Sequence, residues 1–164
     1  MALNINIKDN TSHAVDINSS VDLIRIAANA SLDKKKKSTL GQFFTPSPIG
    51  MFMASLFDSI QGDVKLLDPG CGSGSLTACF VAEAITRRTT ISIKADTSDI
   101  ETTIKPYLKE TMEMLGVECS KSSLEFSYHH SVSDFILRSS NIISAGFLSH
   151  EPAQYTNVIM NPPY

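Results

Sequence analysis

Val64-Lys65-Leu66-Leu67-Asp68-Pro69-Gly70-Cys71-Gly72-Ser73-Gly74 reads as a short apolar strand, Val64 to Leu67, running straight into a glycine-rich turn. The residues that follow, about Ser75 to Arg87, read as a helix. Gly70, Gly72 and Gly74 permit a tight turn and bring bare backbone N–H groups close to a ligand, with a helix N-terminus behind them. Strand, glycine turn and helix in this order make a nucleotide-type loop. The spacing is neither the dinucleotide fingerprint nor the phosphate loop, which would end in Gly-Lys-Ser/Thr. Asp68 at the end of the strand suits a cationic ligand better than a pyrophosphate.

Downstream of this stretch, short apolar runs alternate with helical segments, the pattern of parallel strands joined by crossover helices. A second strand is expected at about Ile91 to Ala95, a third at Leu124 to Tyr128 and a fourth at Asn157 to Met160. The helical stretch after Asp99 contains Pro106, which predicts a kink or late start at Lys105, and Gly116 is expected to end it. Upstream, Ser47 is expected to cap a helix with Pro48 at its first position, running through Met51, Met53, Leu56 and Phe57 and packing on the sheet. Farther back, Ser20 is expected to cap a helix from Val21 to about Leu32, with Leu23, Ile24 and Ala27 on one face. Lys34 to Lys37 then read as a solvated linker, so that residues 1–40 form a leading segment and 41–164 the main domain.

Composition sets the bounds. The 164 residues are 42% hydrophobic, enough for a core, and 19% charged with a formal net charge of −3. That mildly acidic balance argues against a strong grip on phosphate backbones by this segment itself. No apolar run reaches the length of about 18 residues needed to cross a bilayer, and the N-terminus lacks a basic region followed by an apolar stretch, so the expectation is a soluble cytoplasmic protein with no membrane partner. Cys71, Cys79 and Cys119 have no metal-ligand spacing and read as reduced structural thiols; no metal site is expected. His129 and His130 lack a carboxylate or cysteine partner at ligand spacing and read as ordinary polar residues.

Two further features carry chemistry. The second strand should end in a carboxylate that accepts ribose hydroxyls; Asp96 and Asp99 both qualify, and Asp99 is favoured because Ile100-Glu101-Thr102-Thr103-Ile104 begins the next helical segment. Asn161-Pro162-Pro163-Tyr164 follows the apolar strand Val158-Ile159-Met160, and its prolines stiffen the chain at a strand's carboxyl end, where ligands bind in open parallel sheets. The Asn161 side-chain oxygen and the Pro162 carbonyl are acceptors suited to a planar amino group with two N–H donors, and Tyr164 supplies a ring for a flipped base.

With these residues in hand, the chain resembles the amino-methyltransferases that act on adenine N6 in DNA in restriction-modification systems. Gly41-Gln42-Phe43-Phe44-Thr45-Pro46 looks like that family's methionine-binding block, and Asp68-Pro69-Gly70 through Gly72 and Gly74 like its main cofactor loop. Ser133-Asp134-Phe135-Ile136 is similar to the block whose acid bonds the cofactor's adenine, and Asn161 to Tyr164 matches the catalytic motif. The family more often has Glu where Asp99 stands, which leaves Asp96 and Asp99 open as the ribose ligand. The block order and the leading Asn match the subgroup with a C-terminal target-recognition domain.

The resemblance implies an α/β, Rossmann-like fold dependent on S-adenosylmethionine, with a parallel sheet and flanking helices, truncated after the fourth strand. It implies methyl transfer to adenine N6 in double-stranded DNA, with a cognate restriction endonuclease as a further partner. Most of the DNA contact would lie in a missing C-terminal region, so the segment alone is expected to be inactive and to expose Asn157 to Met160 as an edge open to self-association. The same tetrapeptide serves methyltransferases of a release-factor glutamine or an rRNA guanine, against which the Gly41 to Pro46 block speaks. A non-catalytic cofactor-binding or interaction module is the reading from another class.

Overall fold

A computed structural model describes residues 7–32, 44–144 and 155–162. Gly41 to Phe43, Lys34 to Lys37, Pro163 and Tyr164 lie outside the described residues. The elements are α1 (Ile7–Ser31), α2 (Ser47–Ser55), β1 (Gly62–Pro69), α3 (Ser75–Arg87), β2 (Thr90–Asp99), a 3-10 turn (Thr102–Ile104), α4 (Lys105–Lys121), β3 (Glu125–Val132), α5 (Phe135–Ser144) and β4 (Asn157–Val158). All strand pairs are parallel, in the order β3-β2-β1-β4. This is the α/β sheet with flanking helices that the alternating pattern predicts, with β4 at one edge and β3 at the other among the described residues.

The pleat sorts each strand into two faces. Val64, Leu66 and Asp68 of β1 are in register with Ile93, Ala95 and Thr97 of β2, and all six are buried. Phe80, Leu108, Met112 and Leu115 join the same cluster, and so do Ile17 and Val21 of α1. Phe57 meets Phe80 edge to face, with ring centroids 5.1 Å apart. Burial across this cluster is the main favourable term holding the helices to the sheet.

Several expected boundaries move, each for a physical reason. Helix α1 starts at Ile7 and passes through Ser20, which caps nothing. Its buried stripe is Ile17, Val21, Ile24, Ala28 and Leu32, at helical spacing, whereas Leu23 and Ala27 point outward. The polar run at Asn18 imitates a helix start because its groups serve tertiary contacts: the Ser47 hydroxyl donates to the Asn18 carbonyl, 3.0 Å. Pro46, not Ser47, occupies the cap position of α2, without a side-chain cap bond. Helix α2 packs on α3 and α1 rather than on the sheet. Met53 and Phe57 reach the core, while Met51 and Leu56 stay exposed.

The 3-10 turn before Lys105 is the late start that Pro106 predicts. Gly116 does not end α4, because Leu115 and Cys119 continue the buried stripe past it. Burying them outweighs the roughly 1 kcal/mol that a helical glycine costs. The chain turns instead at Ser122 and Ser123, where Ser123 has a φ of 56° and the Leu124 N–H donates to the Cys119 carbonyl. Strands β2 and β3 run farther than expected, to Asp99 and Val132, and β4 is shorter, although the Ile159 N–H still donates to the Leu67 carbonyl.

At Gly50, α2 packs tightly against α3. A Cβ there would lie 2.7 Å from Cys79 Sγ and 3.3 Å from its Cβ. Gly50→Ala is therefore expected to destabilise by about 1–3 kcal/mol, overpacking exceeding the gain in helix propensity. Urea midpoints check this, and the loss should shrink in a Cys79→Ala background; an equal loss in both backgrounds would refute the close-packing account.

Candidate active site

Parallel pairing fixes where the two motif loops emerge. Leu66 and Leu67 of β1 are in register with Asn157 and Val158 of β4. Both strands therefore deliver their carboxyl ends to one edge of the molecule, β1 into the glycine turn and β4 toward Asn161. A cleft between these ends is lined by Phe44, Thr45, Gly70, Cys71, Gly72, Ser75, Leu76 and Asn161. Residues as far apart in sequence as Phe44 and Asn161 thus share one wall.

The glycine turn differs in one respect from its sequence reading, in which its N–H groups were bare. Gly70 and Cys71 both donate to the Ser98 carbonyl at 2.7 and 3.0 Å, and Gly72 donates to Asp99 Oδ2 at 2.9 Å. The Gly74 N–H donates to the Cys71 carbonyl. Donors satisfied by the end of β2 cannot also cradle a phosphate, and the turn is instead set rigidly against β2. Gly72 has a φ of 55°, and a Cβ there would stand 2.6 Å from the Phe44 ring, so only glycine lets Phe44 lie on the turn.

Asp99 organises this region. Its Oδ1 accepts from the Glu101 N–H at 2.9 Å, and its carbonyl accepts from the Ser133 N–H, joining the ends of β2 and β3. Asp96 is engaged elsewhere, accepting from the Tyr155 hydroxyl at 2.8 Å. Burial first, and then the bond to Asp96, push the Tyr155 phenol up to about 12. Asp134 accepts from the Leu137 N–H and caps α5, where Phe135 is the first, half-buried residue.

Asp68 is fully buried beneath the turn, where its Oδ2 accepts from the Thr77 hydroxyl at 2.7 Å. Its Oδ1 has no hydrogen-bond partner. Burial pushes this carboxyl up to about 7; bonds from Thr77 oppose the rise and the nearby Asp99 charge adds to it. Burial likewise raises all three free thiols, Cys71 well above its usual range and Cys79 and Cys119 to about 12, which disfavours thiolate chemistry. Among the described residues, no cluster of His, Cys, Asp and Glu could hold a metal ion. Nor is any helix among them long and apolar enough to cross a membrane.

At the end of β4, Asn161 Nδ2 donates to Thr45 Oγ1 at 3.0 Å. Thr45 is buried and Pro162 exposed. Of the residues singled out from sequence, the cleft brings together Phe44, Thr45, Gly70, Gly72 and Asn161. Asp99 stands behind Gly72, while Pro46, Asp68, Pro69, Gly74, Asp134, Phe135 and Pro162 are not in its wall. Sequence reasoning missed Cys71, Ser75 and Leu76 in the lining, and also Thr77 and Ser98, which carry no motif signal.

This geometry agrees with an independent comparison: the model of the N-6 DNA Methylase family matches residues 26–164. The chain belongs to that family. Among its relatives, the Type II methyltransferase M.BsuBI of Bacillus subtilis is 38% identical over 149 residues, spanning 88% of this chain and 28% of that protein. The Type II methyltransferase M.PstI of Providencia stuartii is 33% identical over 154 residues, spanning 94% of this chain and 30% of that protein. The N-6 DNA methylase chain therefore covers under a third of the length of these relatives. A solved rRNA methyltransferase, aviRa from Streptomyces viridochromogenes, is 16% identical with a TM-score of 0.36, covering 76% of this chain and 61% of that one, a likeness too loose to bear on the site.

Proposed function

We propose that this segment holds S-adenosylmethionine at the glycine turn and presents Asn161 and Pro162 to adenine N6 of double-stranded DNA, as part of a site-specific methyltransferase of a restriction-modification system. The single observation that supports it is the parallel pairing of β1 with β4, which puts donor turn and acceptor loop at one end of one sheet. The residues fit the cofactor. A Cβ at Gly70 would meet nothing within 4 Å, leaving open space, and Asp68 Oδ1 is a buried acceptor without a partner just beneath. Internally bonded N–H groups with carboxylates behind them favour a cation over a phosphate. When bound, S-adenosylmethionine supplies an electrophilic methyl group.

The protein's part is positioning. Adenine N6 is a weak nucleophile because its lone pair is delocalised into the ring. Acceptors at Asn161 Oδ1 and the Pro162 carbonyl would hold both N6 hydrogens and draw the nitrogen toward tetrahedral geometry, so that no strong base is required. Tyr164 would stack on the extruded base. Asp96 and Asp99 stay the two ribose candidates: Asp96 has one oxygen bonded to Tyr155, and Asp99 has its oxygens bonded to the Gly72 and Glu101 N–H groups. The bulk of the DNA grip, and a cognate endonuclease, would belong to other parts of the system, which acts in the cytoplasm. Tritiated S-adenosylmethionine offered to the full-length gene product with DNA, RNA and protein should label adenine in duplex DNA. Label only in RNA or protein, or none at all, would overturn the reading.

A further inference from the structure

An asparagine amide presents one acceptor end and one donor end, and a primary amino group offers only N–H donors to its in-plane partners. If Asn161 turned its Nδ2 toward the target, donor would face donor and the acceptor would be lost. The side chain must therefore be held with its Oδ1 end toward the cleft. The structure puts one group at the other end: Thr45 Oγ1, 3.0 Å from Asn161 Nδ2.

Thr45 is well built for this task. It is only 7% exposed, and its β-branched side chain has few rotamers. The residues on either side are anchored to different parts of the fold. Phe44 lies on Gly72 of the cofactor turn. Ser47 is tied to α1 by its N–H donating to Asp22 Oδ1 at 3.2 Å and its hydroxyl donating to the Asn18 carbonyl at 3.0 Å. Thr45 thus sits on a strut between α1 and the glycine turn, and its hydroxyl meets Asn161 across 116 residues of sequence.

We infer that Thr45 is a positioning residue for the acceptor: by taking the Nδ2 hydrogen of Asn161 it leaves Oδ1 directed at the amino group to be methylated. This assignment rests on the function proposed above and adds to the cofactor-side role expected of the Phe44 to Pro46 block. It also links the two halves of the site, because the strut that lies on the cofactor turn is the one that orients the acceptor.

The test compares Thr45→Val, which keeps the shape and removes the hydroxyl, with Thr45→Ser, which keeps the hydroxyl, both in the full-length protein. Single-turnover methyl transfer at saturating S-adenosylmethionine and duplex should fall roughly 10- to 100-fold in Thr45→Val and stay within about threefold of wild type in Thr45→Ser. The second readout needs no activity. The side-chain amide resonances of Asn161, assigned by their loss in Asn161→Asp, should shift and exchange faster with solvent in Thr45→Val but not in Thr45→Ser. Unchanged amide resonances in Thr45→Val, full transfer by that variant, or equal loss in both variants would overturn the inference. Resonances perturbed in Thr45→Val, together with a wild-type protein that transfers no methyl group to DNA, would leave the hydrogen bond standing and sink the functional reading instead.

Discussion

Asn161→Ala in the full-length protein is expected to lower methyl transfer to duplex DNA by roughly 10²- to 10³-fold or more while S-adenosylmethionine binding stays within about threefold of wild type. The size follows from what the side chain does. On the proposed function it is an acceptor placed before the reaction begins, and deleting one such dipole commonly costs about 3–4 kcal/mol of transition-state stabilisation. The selectivity follows from where it sits. Asn161 contributes one polar group to the cleft wall, and its partner there is Thr45, not the glycine turn. Gly70, Cys71 and Gly72 are held by Ser98 and Asp99 of β2, none of which depends on residue 161. Calorimetry for the cofactor beside single-turnover transfer separates the two effects. Equal loss of both would mean that Asn161 holds the cleft together, and the acceptor role would fall.

How legible this arrangement is from sequence depends on the range of the forces that set each part. Helix α3 is readable at both ends because local geometry marks them: Gly74 has a φ of 83° before its first residue, and Arg88 sits in the left-handed region after its last. The meeting of the glycine turn and the Asn161 loop is readable too, since a parallel sheet leaves the carboxyl ends of all its strands on one side. Where tertiary contacts override local signals, the reading fails. Ser20 looks like the cap of a helix and instead lies inside α1, beside Asn18, which is a buried partner of Ser47; Gly116 looks like a stop and is carried through by Leu115 and Cys119. The glycine N–H groups look free because their acceptors, Ser98 and Asp99, come from another strand. No local pattern announces that Thr45 and Asn161 will bond, since their contact exists only once α1, α2 and β4 have docked.

The buried carboxyl of Asp68 leads to a pH dependence of opposite sign to that of most native carboxylates. Its folded-state pKa of about 7 lies above the ordinary value of 3.8. Between those two values the folded protein keeps a proton that the unfolded chain has released. The stability from this group is therefore complete below about pH 4 and is lost as pH rises through 7, by an amount on the order of a few kcal/mol. Asp68→Asn imitates the protonated form: the amide oxygen can still accept from the Thr77 hydroxyl, 2.7 Å away, and no charge ever develops. The two proteins should have similar urea midpoints at about pH 4, with the Asn variant distinctly more stable at pH 9. Other titrating groups contribute to both proteins and cancel in the difference. Parallel pH profiles, or a wild type that gains on Asp68→Asn as the pH rises, would show that Asp68 is ionised in the ligand-free fold. If a cation is held at the turn above Asp68, as the proposed function has it, it draws the carboxyl back toward its charged form, so that below about pH 7 ligand binding releases a proton from this residue.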